Sequence, residues 1–201
     1  AFPLKKDSEG TTVANLATYP QLRFLTVPTC SSEIPQTDFV GKWEPCTPKT
    51  APNFSAVAFF FGQYLHEKTH TPVGLIVASA NGSTCEAWVH EDYLTQDTSL
   101  KYLTEPERLD KTPGNQKAGR LFNGMISPVC PFTLKGVLWY QGESNTGRAW
   151  QYRTLFPTLI NNWRHSWNFE NMPFVFIQLP SFMTPQKTPS SSAWAELREA
   201  Q

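Results

Sequence analysis

Apolar and polar positions alternate along this chain in two periods. Residues 22–27 (Leu-Arg-Phe-Leu-Thr-Val) read as a short strand stopped by Pro28, after a polar stretch at 1–20 that reads as loop. Five prolines between 28 and 52 imply irregular chain. Asn53 then stands where an N-cap belongs, and Phe54, Val57, Ala58, Phe61 and Leu65 form one helical stripe running to about His70. Residues 73–79 are a continuous apolar run, as expected of a strand covered on both faces, and the turn Ala80-Asn81-Gly82-Ser83 follows. A short helix is predicted around 86–94, a long loop at 95–114 and weak helix at 115–127. Residues 134–140 read as a further strand. Tyr152, Leu155, Phe156, Leu159, Ile160, Trp163 and Trp167 then keep the helical period, with Pro157 expected to kink or restart the helix. A strand at 174–179, a Pro/Ser-rich loop at 180–192 and a helix start at 193–201 complete the pattern.

Strands alternating with helices, through connections too long for hairpins, imply βαβ units and a mostly parallel sheet with helices on both faces. Ligands of such sheets lie beyond the carboxyl ends of the strands, which directs attention to the turns after Val27, Ser79 and Tyr140. The 201 residues fit one ordinary domain with no internal repeat. Seventeen basic residues balance seventeen acidic ones, which argues against a nucleic-acid partner. No apolar run approaches a membrane span of about 20 residues. The four cysteines form no C-x-x-C pair, so a structural zinc site is not expected; Cys30 and Cys46 are the pair closest in sequence.

The candidate chemistry sits in Trp139-Tyr140-Gln141-Gly142-Glu143-Ser144-Asn145, at the end of an apolar strand. Gln141 and Asn145 carry amide donors able to stabilise an oxyanion, and Glu143 can orient a base or bond sugar hydroxyls. The competing reading is a polar loop that caps the next helix. Ser144 misses a G-x-S-x-G elbow by one residue, and the same stretch lacks the Lys-Ser/Thr of a phosphate loop. Gly82 can present a backbone N–H. Asn53-Phe54-Ser55 and Asn81-Gly82-Ser83 are glycosylation sequons, the second read as incidental because a glycan at Asn81 would obstruct the candidate site. His66-Glu67-Lys68-Thr69-His70 is a literal H-E-x-x-H, but it falls at a helix end with no third ligand fixed by spacing, so a solvated helix end is expected. His90 and His165 have no triad spacing and read as surface or packing residues.

Taken together, Leu121-Phe122-Asn123-Gly124-Met125-Ile126 and the run from Leu134 through Asn145 resemble the sialate O-acetylesterase family, within the SGNH (GDSL-like) hydrolases. Weaker likeness runs through 53–65, 72–76, Glu86-Ala87-Trp88, 152–164 and Arg198-Glu199-Ala200-Gln201. The resemblance implies a three-layer α/β/α sandwich and hydrolysis of O-acetyl esters on sialic acids, with no metal or other cofactor. It implies a Ser nucleophile, a His base oriented by Asp, and an oxyanion hole. Carried over, Gly82 is the backbone donor, Gln141 the amide donor with Asn145 the alternate, and Glu143, Asn123 and Arg198 line or brace the pocket. The family's nucleophile block and its Asp/His block match nothing in the chain. Residues 1–201 are therefore expected to form a single SGNH-like domain inside a longer esterase, with the nucleophile before residue 1 and Asp and His after 201. By itself the piece is expected to be inactive, its partner being the remainder of the parent chain. The turn at 80–83 departs from the family's Trp-Gly-Gly-Thr. The resemblance implies a secreted, periplasmic or lysosomal protein whose substrate is an acetylated sugar, with neither nucleic acid nor membrane as partner. Two other readings are an acetyl esterase of plant polysaccharide, acetylxylan-like, and a non-catalytic glycan-binding module using some of Trp43, Trp88, Trp139, Trp150, Trp163, Trp167 and Trp194.

Overall fold

The computed structural model describes residues 1–184, 188 and 190–201. The chain is of the α/β class and gathers into two compact units, one of residues 1–29 and 39–81, the other of 30–38 and 82–201. Part of the loop expected at 180–192 lies outside the described residues.

The first unit is built on β1 (Tyr19–Val27), β2 (Glu44–Cys46) and β3 (Val73–Ala78), in the order β2-β1-β3. β1 and β3 run parallel from Leu22 opposite Val73 to Val27 opposite Ala78, while β2 is antiparallel to β1. The predicted loop at 1–20 holds a short 3₁₀ turn (Leu4–Lys6) and α1 (Gly10–Leu16), with Ala14 and Ala17 buried in the unit's core. Tertiary burial overrides the poor helix propensity of Gly10-Thr11-Thr12-Val13 there. Between β1 and β3 comes α2 (Ala56–Thr69), the crossover that a parallel pair requires. Its N-cap is Ser55, whose Oγ accepts from the Ala58 N–H, and not Asn53. Its core face is also not the predicted stripe. Ala56, Phe59 and Gly62 are buried, whereas Phe61 and Leu65 are 38% and 36% exposed. The helix is apolar on several sides, so periodicity does not single out a face. The small residue decides: a Cβ at position 62 would stand 2.5 Å from Leu75 Cδ1, so the helix approaches the sheet along Gly62. Phe24 stacks on Phe54 with ring centroids 3.9 Å apart, and Leu4, Leu22 and Phe59 complete this core.

The second unit holds β4 (Val137–Trp139) and β5 (Phe174–Phe176), parallel and in register from Val137 opposite Phe174 to Trp139 opposite Phe176. The helix expected at 86–94 divides into a 3₁₀ turn (Cys85–Trp88) and α3 (Glu91–Thr95). The loop expected at 95–114 contains α4 (Pro106–Lys111), and the weak helix at 115–127 ends in a buried π-helical turn, Phe122–Ile126. α5 (Ala149–Ser166) connects β4 to β5 and runs through Pro157 without a break. Its buried face, Tyr152, Leu155, Phe156, Leu159 and Trp163, follows the predicted stripe. Trp139 lies at the centre of an aromatic cluster with Trp88, Phe156 and Trp163, ring centroids 5.9–6.4 Å apart. Those three tryptophans are core residues. Trp150 is exposed, and Trp194 stacks on Phe182. α6 (Ala193–Ala200) follows the predicted start. The four cysteines are free thiols.

Candidate active site

The site grows from the carboxyl end of β4. Trp139 ends the strand, Tyr140 is exposed, and the chain turns inward so that Gln141 and Asn145 are buried, 7% and 1% exposed. A 3₁₀ helix from Glu143 to Arg148 then leads into α5. Asn145 comes four positions after Gln141, and the Asn145 N–H donates to the Gly142 carbonyl, which folds one amide back onto the other.

Gln141 Nε2 donates to Asn145 Oδ1 at 2.8 Å and to the Ser83 carbonyl at 3.1 Å. The Gln141 amide is thus bonded to the residue next to Gly82. Gly82 holds φ +69°, a left-handed conformation that glycine adopts without strain. Its carbonyl accepts from Gln116 Nε2, and among the described residues its exposed N–H has no acceptor. On its other side Gln141 Oε1 accepts from the Tyr152 hydroxyl at 3.2 Å, and Trp139 Nε1 donates to that hydroxyl at 3.1 Å. Gln201 Nε2 donates to the Gln141 carbonyl. Burial pushes the Tyr152 phenol far above its usual 10.0, so it stays protonated and can donate.

Asn145 Oδ1 also accepts the Cys85 N–H at 2.9 Å, while Asn145 Nδ2 donates to Glu86 Oε2 at 3.0 Å. Glu86 is 2% exposed. Its other oxygen pairs with Arg148 Nη2 at 2.6 Å, and Arg108 stands 3.9 Å away. Burial works against the Arg148 charge, but the Glu86 carboxylate and the Tyr102 hydroxyl together outweigh it and the guanidinium pKa rises. Arg148 also donates to Gln151 Oε1, and Gln151 Nε2 donates to the Tyr102 hydroxyl. The polar side chains of this buried chain are all partnered, as the cost of an unpaired buried donor demands.

The other candidates are more dispersed. Glu143 is exposed, and its carboxylate makes no hydrogen bond among the described residues. Burial, and then Glu143, raise the Tyr140 phenol. Asn123, in the π-helical turn, donates from its side chain to the carbonyls of Ser32 and Glu33, and its own carbonyl accepts the Gln36 N–H. It braces the 30–38 segment. Arg198 pairs loosely with Gln178 Oε1 at 3.3 Å, and its buried Nε has no partner among the described residues. In the H-E-x-x-H stretch, α2 stops at Thr69 and His70 adopts φ +54° as its C-cap, while His66 Nδ1 meets the Thr71 carbonyl. His90 caps α3, and its ring packs edge-on to Phe122; His165 packs against Tyr93. Sequence reasoning assigns no site role to Glu86, Arg148 or Tyr152, although Glu86-Ala87-Trp88 and 152–164 carry part of the family likeness. A physical signal is the glutamate inside the otherwise apolar Cys85-Glu86-Ala87-Trp88-Val89, since a charge in such company is buried only with a partner.

Parallel β/α units with a cluster of buried polar side chains at a strand's carboxyl end define an α/β protein, a class whose ligands lie beyond that edge. Residues 35–201 match the family model described as carbohydrate esterase, sialic acid-specific acetylesterase, and the chain belongs to that family. It is 32% identical over 92% of its length to the human sialate O-acetylesterase. The crystal structure of a carbohydrate acetylesterase from Xanthomonas citri superposes with a TM-score of 0.86 at 34% identity, over 99% of this chain and 43% of that one. A protein from Arabidopsis thaliana shares the fold at a TM-score of 0.51 and 19% identity, over 91% of this chain and 63% of that one. The chain spans 38% of the length of the human relative.

Proposed function

We propose that this chain is part of a carbohydrate esterase that removes O-acetyl groups from sialic acids through a serine acyl-enzyme. The observation that carries the reading is the 3.1 Å bond from the Gln141 amide to the Ser83 carbonyl, which ties the strand-end amide to the residue after Gly82, an exposed glycine whose N–H has no acceptor among the described residues. Two donors of that kind can share the negative oxygen that develops when an ester carbonyl is attacked. The Ser83 carbonyl holds the longer of the two Gln141 N–H bonds. That is the bond which an oxyanion would displace or share. Asn145 is almost wholly enclosed and orients Gln141 from behind.

The Ser nucleophile, and the His base with its Asp, come in this reading from segments of the parent chain outside 1–201. Glu143 faces solvent and is free to accept from sugar hydroxyls. The half-buried Arg198 guanidinium carries a charge suited to an acidic sugar. The SGNH-type sandwich, export of the protein and glycan attachment at Asn53 belong to the same proposal; a glycan at Asn81 would obstruct the neighbouring Gly82, so that sequon is incidental in this reading. A broader reading, acetyl ester hydrolysis on other carbohydrates, is favoured by the likeness to an enzyme described only as a carbohydrate acetylesterase.

The test is acetate release by the full-length parent from O-acetylated sialic acid and from acetylated xylan. Gln141→Ala should lower turnover roughly 10²–10³-fold, the effect of removing one oxyanion donor. Wild-type turnover in that variant removes Gln141 from the site, and xylan cleaved faster than the sialic acid favours the broader reading.

A further inference from the structure

Glu86 stands behind the amides, not beside any substrate, yet it closes their hydrogen-bond chain. The chain runs in one direction: Trp139 Nε1–H to the Tyr152 hydroxyl, Tyr152 to Gln141 Oε1, Gln141 Nε2 to Asn145 Oδ1, and Asn145 Nδ2 to Glu86 Oε2. Its ends fix that direction, because an indole only donates and a carboxylate only accepts. Two backbone groups agree: the Cys85 N–H points at Asn145 Oδ1, and the Ser83 carbonyl receives Gln141 Nε2. Glu86 must accept at both of its oxygens, from Asn145 on one and from Arg148 on the other. A neutral amide of the same shape accepts at only one end. At the other it sets donor against donor in a site 2% exposed, where no water relieves the mismatch.

We propose that Glu86 is a positioning residue: by accepting from both Asn145 and Arg148 it locks the amide chain in the direction that points one Gln141 N–H at the Ser83 carbonyl while the other donates to Asn145. This rests on the esterase reading above. Glu86 touches no reacting atom. It acts through Asn145 and Gln141, and its loss lowers the rate of the chemical step more than substrate affinity.

The test is a reciprocal exchange in the full-length protein, with kcat and KM measured well below each variant's Tm. Glu86→Gln should lower kcat about 10- to 100-fold, less than removal of a direct oxyanion donor, with KM within about twofold. Adding Asn145→Asp restores the pattern. The new amide at position 86 then accepts from Arg148 through its oxygen and donates through its nitrogen to the new carboxylate at position 145. That carboxylate in turn accepts from the Cys85 N–H and from Gln141. The double variant should recover most of the lost kcat. Asn145→Asp alone sets two carboxylates against each other, which one shared proton relieves, so its kcat should rise as pH falls. That profile is a readout even if Glu86→Gln fails to fold. A double variant no faster than the singles, a pH profile of Asn145→Asp like that of wild type, or a lowered Tm with wild-type kcat overturns the proposal. If the wild-type parent releases no acetate, the esterase reading itself fails and the positioning role with it.

Discussion

The Glu86 carboxylate, set in the chain among the buried Cys85, Ala87, Trp88 and Val89 and itself buried, loses the hydration that normally stabilises its charge, and only well-placed donors offset that loss. Residue types declare such a problem in the sequence; the solution is not declared, because the donors come from positions 145 and 148, about 60 residues on. The strand-end amides are legible for the opposite reason, being contiguous at 141–145 and chemically unusual at the end of an apolar run. A second residue-scale consequence concerns Cys46, 1% exposed in the core of the first unit. Burial pushes its thiol from the usual 9.0 up to about 11. The folded state then keeps the proton that the unfolded chain releases, so this contribution is complete below pH 9.0 and is lost as pH rises toward about 11. Urea unfolding midpoints at pH 8 and pH 10.5 (roughly either side of an ordinary thiol pKa) should differ less in Cys46→Ala than in wild type.

At the scale of elements, the hydrophobic pattern locates β1, β3 and α5 well and misjudges what depends on tertiary fit. It gives no sign of α1, because Gly10-Thr11-Thr12-Val13 has little helical tendency of its own and burial of Ala14 and Ala17 supplies the rest. It assigns α2 the wrong stripe, because Phe60, Phe61 and Leu65 are as apolar as the face that packs, and only Gly62 breaks the tie. In α5 the predicted and buried faces coincide, and that burial tolerates Pro157 inside the helix. Two substitutions test these accounts. Ser55→Ala removes the N-cap of α2 and should cost about 1 kcal/mol in chemical denaturation. Gly62→Val should cost more, roughly 1–3 kcal/mol, because its side chain overlaps Leu75 and Leu22.

For the molecule as a whole, neither compact unit is a continuous stretch of chain. Residues 30–38 belong with 82–201, and nothing in the sequence signals it, since the segment's bonds are made to residues about 80–90 positions later. Ser31 bonds the Gly114 carbonyl, Ser32 donates to Arg120, Asn123 holds Ser32 and Glu33, and Ser127 reaches Gln36. A fragment of residues 82–201 should therefore show faster amide hydrogen exchange around the π-helical turn than the same residues in the longer chain, because the buried Asn123 side chain is left unpaired. The arrangement also sets a timetable for biosynthesis. Ser32 leaves the ribosome 91 residues ahead of Asn123, an interval of roughly 5–18 s at roughly 5–20 residues per second. For that interval the early strip is without its anchor, and chaperones have their longest access to it.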